Sequence, residues 1–229
     1  MRSRDVLLAL LIIVAGVAIT ADHRGVLPHW RQAVVDLRDL ALATSEALGS
    51  SDFGPFVAGE RGYRIIRQFD VAGPFPLEMN QQDAGLPPAG FERVYPPEKQ
   101  VHLGATYQGA YGPVHWLPAR AEPGGALDLR RYVAPSDDVV AYATAVIIAP
   151  EQMDTMLAFG SNDGGKVWVN GLLLFSRHVG RRLPNQDLLP VKLHAGRNRV
   201  LLKIENWGSD WQAYLWVQDP RNRLKFAAD

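Results

Sequence analysis

From residue 62 onward the chain is a succession of short runs in which apolar positions alternate with polar ones or stand together. Val167-Trp168-Val169, Leu172 to Phe175, Val191 to Ile204 and Trp211 to Val217 are rich in Val, Leu, Ile and Trp and are separated by turn chemistry. Asn170-Gly171 between two such runs signals a tight hairpin, because a type I′ turn needs positive φ at both central residues. Ala195-Gly196-Arg197-Asn198 makes a second tight connection. Upstream, Tyr63–Val71 reads as a strand closed by Gly73-Pro74, and Leu77 to Pro97 as a long, Pro-rich surface loop. Further strands fall near 100–108 and 114–119, then a turn at 123–125 and a short strand or helical turn at 127–133. Asp138–Ala149 is the strongest strand, and Met153–Phe159 leads into the hairpin region. The pattern predicts a mainly β fold, an antiparallel sandwich over residues 62–229.

The periodicity before residue 62 is different. Arg2 and Arg4 precede an uncharged run from Val6 to Ala21, closed by Asp22, His23 and Arg24. Sixteen residues make about 24 Å of helix, slightly short of a ~30 Å hydrocarbon core. Residues 1–24 are therefore expected to be a transmembrane anchor with its N-terminus cytoplasmic, or a signal peptide with Gly16-Val17-Ala18 as the small-residue site. Trp30 suits an interfacial aromatic belt, and Gly16, with Ala9, Ala15 and Ala18, would allow close helix packing inside a bilayer. Residues 31–49 space Val34, Leu37, Ala41 and Leu48 as an amphipathic helix, packed on the sandwich or lying against a partner or the bilayer surface. Residues 25–61 are thus a juxtamembrane helix and linker.

The run Ser161-Asn162-Asp163-Gly164-Gly165-Lys166-Val167-Trp168-Val169-Asn170-Gly171 is followed by Leu193-x-Ala195-Gly196-x-Asn198-x-Val200-Leu201-Leu202-Lys203-Ile204-Glu205-Asn206 and a Trp-bearing last strand. Together with Phe69 to Phe75 and Tyr95 to Glu98, it resembles the galactose-binding-domain-like jelly-roll sandwiches that accompany secreted bacterial glycoside hydrolases as non-catalytic modules. The resemblance covers roughly residues 62–219. It implies a jelly roll that binds sugar, docks on protein or serves a structural role. A sugar site would use Trp207 and Trp211 for stacking, with Asn206, Asp163 and Asn162 as polar partners. Asn162 stands where the resemblance leads one to expect Asp, so no calcium ligand set is carried over.

Composition narrows the chemistry. With 229 residues, 47% of them apolar, the chain can bury a sizeable core. A formal net charge of zero provides no global field for nucleic acid, and the absence of cysteine excludes disulfides and thiolate ligands. Six histidines show no metal-ligand spacing, no Gly-x-Ser-x-Gly elbow occurs, and Asp137-Asp138 are sequence neighbours whose side chains diverge. Neither catalysis nor a cofactor is expected. Arg177, Arg181 and Arg182 concentrate positive charge in one loop suited to an acidic partner or to lipid headgroups. The expected role is a non-catalytic, membrane-anchored periplasmic accessory subunit of a larger membrane complex, respiratory or photosynthetic among the candidates. The alternative is a carbohydrate-binding protein at the cell surface or in the periplasm.

Overall fold

The computed structural model of the protein describes residues 62–78, 87–133, 137–180 and 187–228. The proposed anchor, the 31–49 helix, Gly16 and Trp30 lie outside the described residues, as do Arg181 and Arg182. Among the described residues no helix is long and apolar enough to cross a membrane.

Two antiparallel sheets share one core. The first runs β1 (Tyr63–Ile65), β13 (Gln212–Gln218), β8 (Met153–Ser161), β11 (Asp187–Leu193), with β6 (Leu127–Asp128) against β13. The second runs β10 (Leu172–Arg177), β9 (Gly165–Val169), β12 (Gly196–Asn206), β7 (Val139–Ala149), β2 (Gln68–Pro76), β5 (Leu117–Arg120), with β14 (Lys225–Ala227) against β7. Alternation on β7 explains the assembly. Val139, Ala141, Ala143, Ala145 and Ile147 face the interior, and their small side chains share that core with Phe69, Phe159 and Trp211. Both sheets contribute, with Val167, Val200 and Ile204 on one side and Leu157, Leu215 and Val217 on the other.

The expected turns form. Asn170 and Gly171 have φ of 52° and 81°, so the β9–β10 hairpin has the positive φ that its sequence demands. Asn198, fully buried, ties this hairpin to the turn before β12. Its Oδ1 accepts from Asn170 Nδ2 at 2.9 Å and from the His194 amide at 2.8 Å.

One expectation is corrected. The described parts of the stretch from Leu77 to Pro97 are not a solvated surface loop. Residues 87–99 form two short helices, α1 (Ala89–Glu92) and α2 (Pro96–Lys99), and a hairpin of β3 (Thr106–Gln108) and β4 (Pro113–His115) follows. Leu77, Phe91, Tyr95, Tyr107 and Trp116 are buried against Val140, Tyr142 and Leu201 on the outer face of the second sheet, making a second core. The physical reason lies in the outward-facing Val140 and Tyr142 of β7 and Leu201 of β12, which are themselves apolar and need cover. A Pro-rich segment supplies that cover through a few aromatic anchors, without a regular pattern of its own.

Candidate functional site

The outward face of β12 presents Leu201, Lys203 and Glu205, and β9 places Lys166 beside Lys203 in register. On an open sheet these charges would be solvated. Here residues 87–99 and the end of β10 cover them, so each must find a partner. Lys203, with no exposed surface, donates to the carbonyls of Phe91 and Arg93, both at 2.8 Å, and to Glu98 Oε1 at 2.9 Å. Glu98 also accepts from the Tyr142 hydroxyl. Burial pushes the Lys203 ammonium below the usual lysine range, opposed by the Glu98 hydrogen bond, and pushes the Tyr142 phenol well up. Lys166 pairs with Glu92 at 2.9 Å and stands 4.5 Å over the Phe91 ring.

At the far end of the same strand lies the cluster with the most unusual chemistry. Glu205 is fully buried, and both its carboxylate oxygens face His178 Nδ1, at 2.8 and 3.1 Å. The imidazole sits between two aromatic rings, 4.7 Å from Trp207 and 5.7 Å from Phe91. The backbone packs closely enough around them to require glycine. A Cβ on Gly164 would lie 2.2 Å from Glu205 Oε2, and one on Gly180 would lie 2.5 Å from the Trp207 ring. Burial pushes the Glu205 carboxyl up to about 8, with Asp163 adding to the rise and the Trp207 indole nitrogen, Lys203 and Lys166 opposing it. That indole nitrogen is buried and close enough to act on the carboxyl, but outside hydrogen-bond geometry. Burial lowers His178, against the opposing charge of Glu92. Both directions, the carboxyl raised and the imidazole lowered, favour the uncharged forms of the pair.

The structure brings together four of the five side chains expected of a sugar site. Asn162, Asp163, Asn206 and Trp207 meet where the β8–β9 turn approaches the end of β12. Asp163 Oδ2 accepts from the Trp207 amide at 2.8 Å, and Asn206 Oδ1 accepts from the Gly208 amide at 3.2 Å. Asp163 and Asn206 are buried and their bonds organise two turns, while Asn162 is buried with its Oδ1 left without a hydrogen-bond partner. Trp211 is a correction. It has no exposed surface and faces the core shared by the two sheets, because it begins the inward row continued by Ala213 and Leu215. It has no ring face for a pyranose. Trp207 is half-buried, with His178 against its ring and Gly180 at van der Waals limits. Arg177 closes β10 half-buried, its carbonyl beside Gly164.

Glu205, His178, Lys203 and Glu98 carry no signal in the sequence pattern. Charges two apart on a strand read as its solvent face, and only the covering segment reverses that reading. Among the described residues no group of three or more His, Asp or Glu side chains is placed to hold a metal ion.

The fold places the chain in the class of antiparallel β-sandwich domains. No family model matches it, and no curated protein does. Among solved structures it is similar to a β-glucosidase from Kluyveromyces marxianus, at 12% identity and a TM-score of 0.40, over 72% of this chain and 19% of that one. An anti-sigma factor domain-containing protein from Clostridium clariflavum aligns at 10% identity and a TM-score of 0.38, over 72% and 48%. The GH31 α-xylosidase from Xanthomonas citri aligns at 18% identity and a TM-score of 0.35, over 45% and 12%. The chain spans less than half the length of each of these. Likeness of this size carries no inference about activity, ligand or partner.

Proposed function

We propose that the protein is a non-catalytic accessory subunit, held in the cytoplasmic membrane by residues 1–24, whose sandwich, of the galactose-binding-like jelly-roll type, docks on a larger membrane complex in the periplasm. One observation carries the docking reading: leucines stand exposed on edge strands of both sheets. Leu172 and Leu173 on β10 are 67% and 47% exposed, and Leu188 on β11 is 45% exposed. β10 and β11 are the edge strands of their sheets on the same side, since β9 follows β8 through one tight turn and each pairs with one of them. Among the described residues nothing pairs with the outer edge of β10. A leucine-rich edge with open backbone donors and acceptors is where a partner strand adds, or where a chain aggregates if no partner covers it.

The carbohydrate reading draws less support, because Trp211 is core and the polar groups around Trp207 serve the turns. Purification in mild detergent, with intact mass and identification of co-eluting chains, tests the proposal. A full-length chain with stoichiometric membrane partners is expected, and Leu172→Lys with Leu173→Lys should release those partners while leaving the circular dichroism spectrum unchanged. A cleaved, monomeric chain without partners would sink the subunit reading and turn attention to a glycan array with Trp207 variants.

A further inference from the structure

Of the seven asparagines in the chain, Asn170 alone is followed by glycine. Glycine at that place lets the turn take positive φ, and it also leaves the next main-chain nitrogen unshielded by a side chain. Asn170 and Gly171 are both exposed, and a Cβ built on Gly171 would meet nothing within 4 Å. Water therefore reaches the peptide bond of this chain best suited to the loss of a side-chain amide.

The folded turn holds that chemistry back. Asn170 Oδ1 accepts from the Arg199 amide at 3.0 Å, its Nδ2 donates to Asn198 Oδ1 at 2.9 Å, and its main-chain N–H donates to the Arg199 carbonyl at 2.9 Å. Asn198 is itself fully buried. Its Oδ1 also accepts from the His194 amide at 2.8 Å, and its Nδ2 donates to the carbonyls of His194 and Gly196 at 2.8 and 3.0 Å. Ring closure needs the Asn170 Cγ swung away from these partners and against the Gly171 nitrogen. Two side-chain bonds of ordinary net strength resist that movement by about thirtyfold together. An aspartate would suit the turn as well, but only the amide can donate to Asn198 Oδ1.

We propose that Asn170 is a site of spontaneous deamidation, restrained in the folded protein by Asn198, and that its conversion unfastens the hairpin that carries the exposed leucines of β10. The Gly171 nitrogen, having given up its proton to solvent, attacks Asn170 Cγ. The new N–C bond closes a cyclic imide, the Cγ–Nδ2 bond breaks, and the departing nitrogen takes a proton from solvent and leaves as ammonia. Water then opens the ring at one of its two carbonyls, giving aspartate or, with an extra main-chain carbon, isoaspartate. Nothing is oxidised or reduced. In the aspartate product a carboxylate oxygen faces Asn198 Oδ1 where a donor stood, so two acceptors meet at a buried group. In the isoaspartate product the main chain is longer between Val169 and Leu172, which are paired directly, and the register breaks at the first exposed leucine. The bearing on docking rests on the docking proposal; the modification itself does not.

Peptide mapping by mass spectrometry, with fragmentation that separates aspartate from isoaspartate, follows Asn170 over time. The full chain in mild detergent at neutral pH is compared with the same chain in denaturing urea. Conversion in the folded protein should run at least about thirtyfold slower than in urea. Asn198→Ala should speed it at least about fivefold, while Asn222, which precedes arginine, keeps its rate. Where Asn198→Ala unfolds the chain, the ratio between folded and urea rates in the wild type decides alone. Equal rates in the two states, no effect of Asn198→Ala in a folded chain, or an unconverted Asn170 in urea would each overturn the assignment. Converted chain, separated from fresh chain by its added negative charge, should lose its co-eluting membrane partners. Partners that stay with the converted chain would overturn the bearing on docking and leave the modification standing, and a fresh chain without partners would sink the docking proposal instead.

Discussion

Replacing Lys203 with methionine tests how residues 87–99 are fastened to the sheet. The side chain has no exposed surface, and its three hydrogen bonds go to Phe91 O, Arg93 O and Glu98 Oε1 at 2.8, 2.8 and 2.9 Å. Methionine conserves the volume and removes all three. Glu98, whose side chain is 7% exposed, is left as a buried carboxylate with only Tyr142 to satisfy it. Removing one partner of a buried ion pair costs about 3–5 kcal/mol, and each orphaned carbonyl adds to that. About 3–5 kcal/mol is therefore the expected loss. For a domain of this size it lowers Tm by about 6–20 °C. Thermal unfolding of the full chain in mild detergent, followed by tryptophan fluorescence, measures it. Lys203→Met with Glu98→Gln should recover part of the loss, since the unpaired charge is gone, and should retain about 1–2 kcal/mol from the two carbonyls. A loss below about 1 kcal/mol for the single variant would refute the argument, because a covering segment fastened elsewhere would not feel the change.

Three further outcomes follow from the same structure. Glu205 is raised when folded, so its contribution is present below its unfolded pKa of 4.5 and is lost as pH rises toward about 8. His178, lowered by burial, costs stability as pH falls below 6.5, so the net loss concentrates between about pH 6.5 and 8. Urea titrations should show about 2 kcal/mol less stability at the upper end, and a slope unchanged in Glu205→Gln would contradict the assignment. Asp219 is opposed by burial, but the amides of Leu224 and Arg223 and the Arg64 guanidinium outweigh it and hold the carboxyl below 3.8. Its stabilisation is present at neutral pH and is lost as pH falls through that range. Asp219→Ala should cost about 2–3 kcal/mol at pH 7 and little in strong acid, which paired unfolding curves would reveal. Gly164→Ala drives a methyl to within 2.4 Å of the Arg177 carbonyl as well as into Glu205, and should lower stability by about 2 kcal/mol or more. A wild-type melting temperature would show that the end of β10 does not pack as described.

What could be read in advance divides along a physical line. Asn170-Gly171 and the apolar, β-branched run of β7 report local geometry: a turn that needs positive φ, and a run that suits a strand. Both were legible because each constraint falls within a few residues. The partners of Lys203 are set by segments 105 to 112 residues away in the chain, and Glu205 meets His178 across 27 residues. No periodicity records such pairings. The covering segment itself misleads, since Pro87-Pro88 and Pro96-Pro97 advertise a loop while Phe91 and Tyr95 anchor it to Tyr142 and Val140. Trp211 shows the same limit from the opposite side: a tryptophan in a Gly-Ser-Asp loop reads as exposed, yet the inward row of β13 starts one residue earlier than the strand does. The same division bears on the working of the molecule. Buried charges on β12 are matched internally, pair by pair, and stabilise the cover on one face of the sheet. The exposed leucines on β10, at an edge with which nothing pairs among the described residues, belong to the surface instead. A domain that satisfies its buried charges internally and leaves a leucine-bearing edge strand open keeps its polar chemistry inside and its apolar surface outside, and it is on that edge that the proposed docking rests.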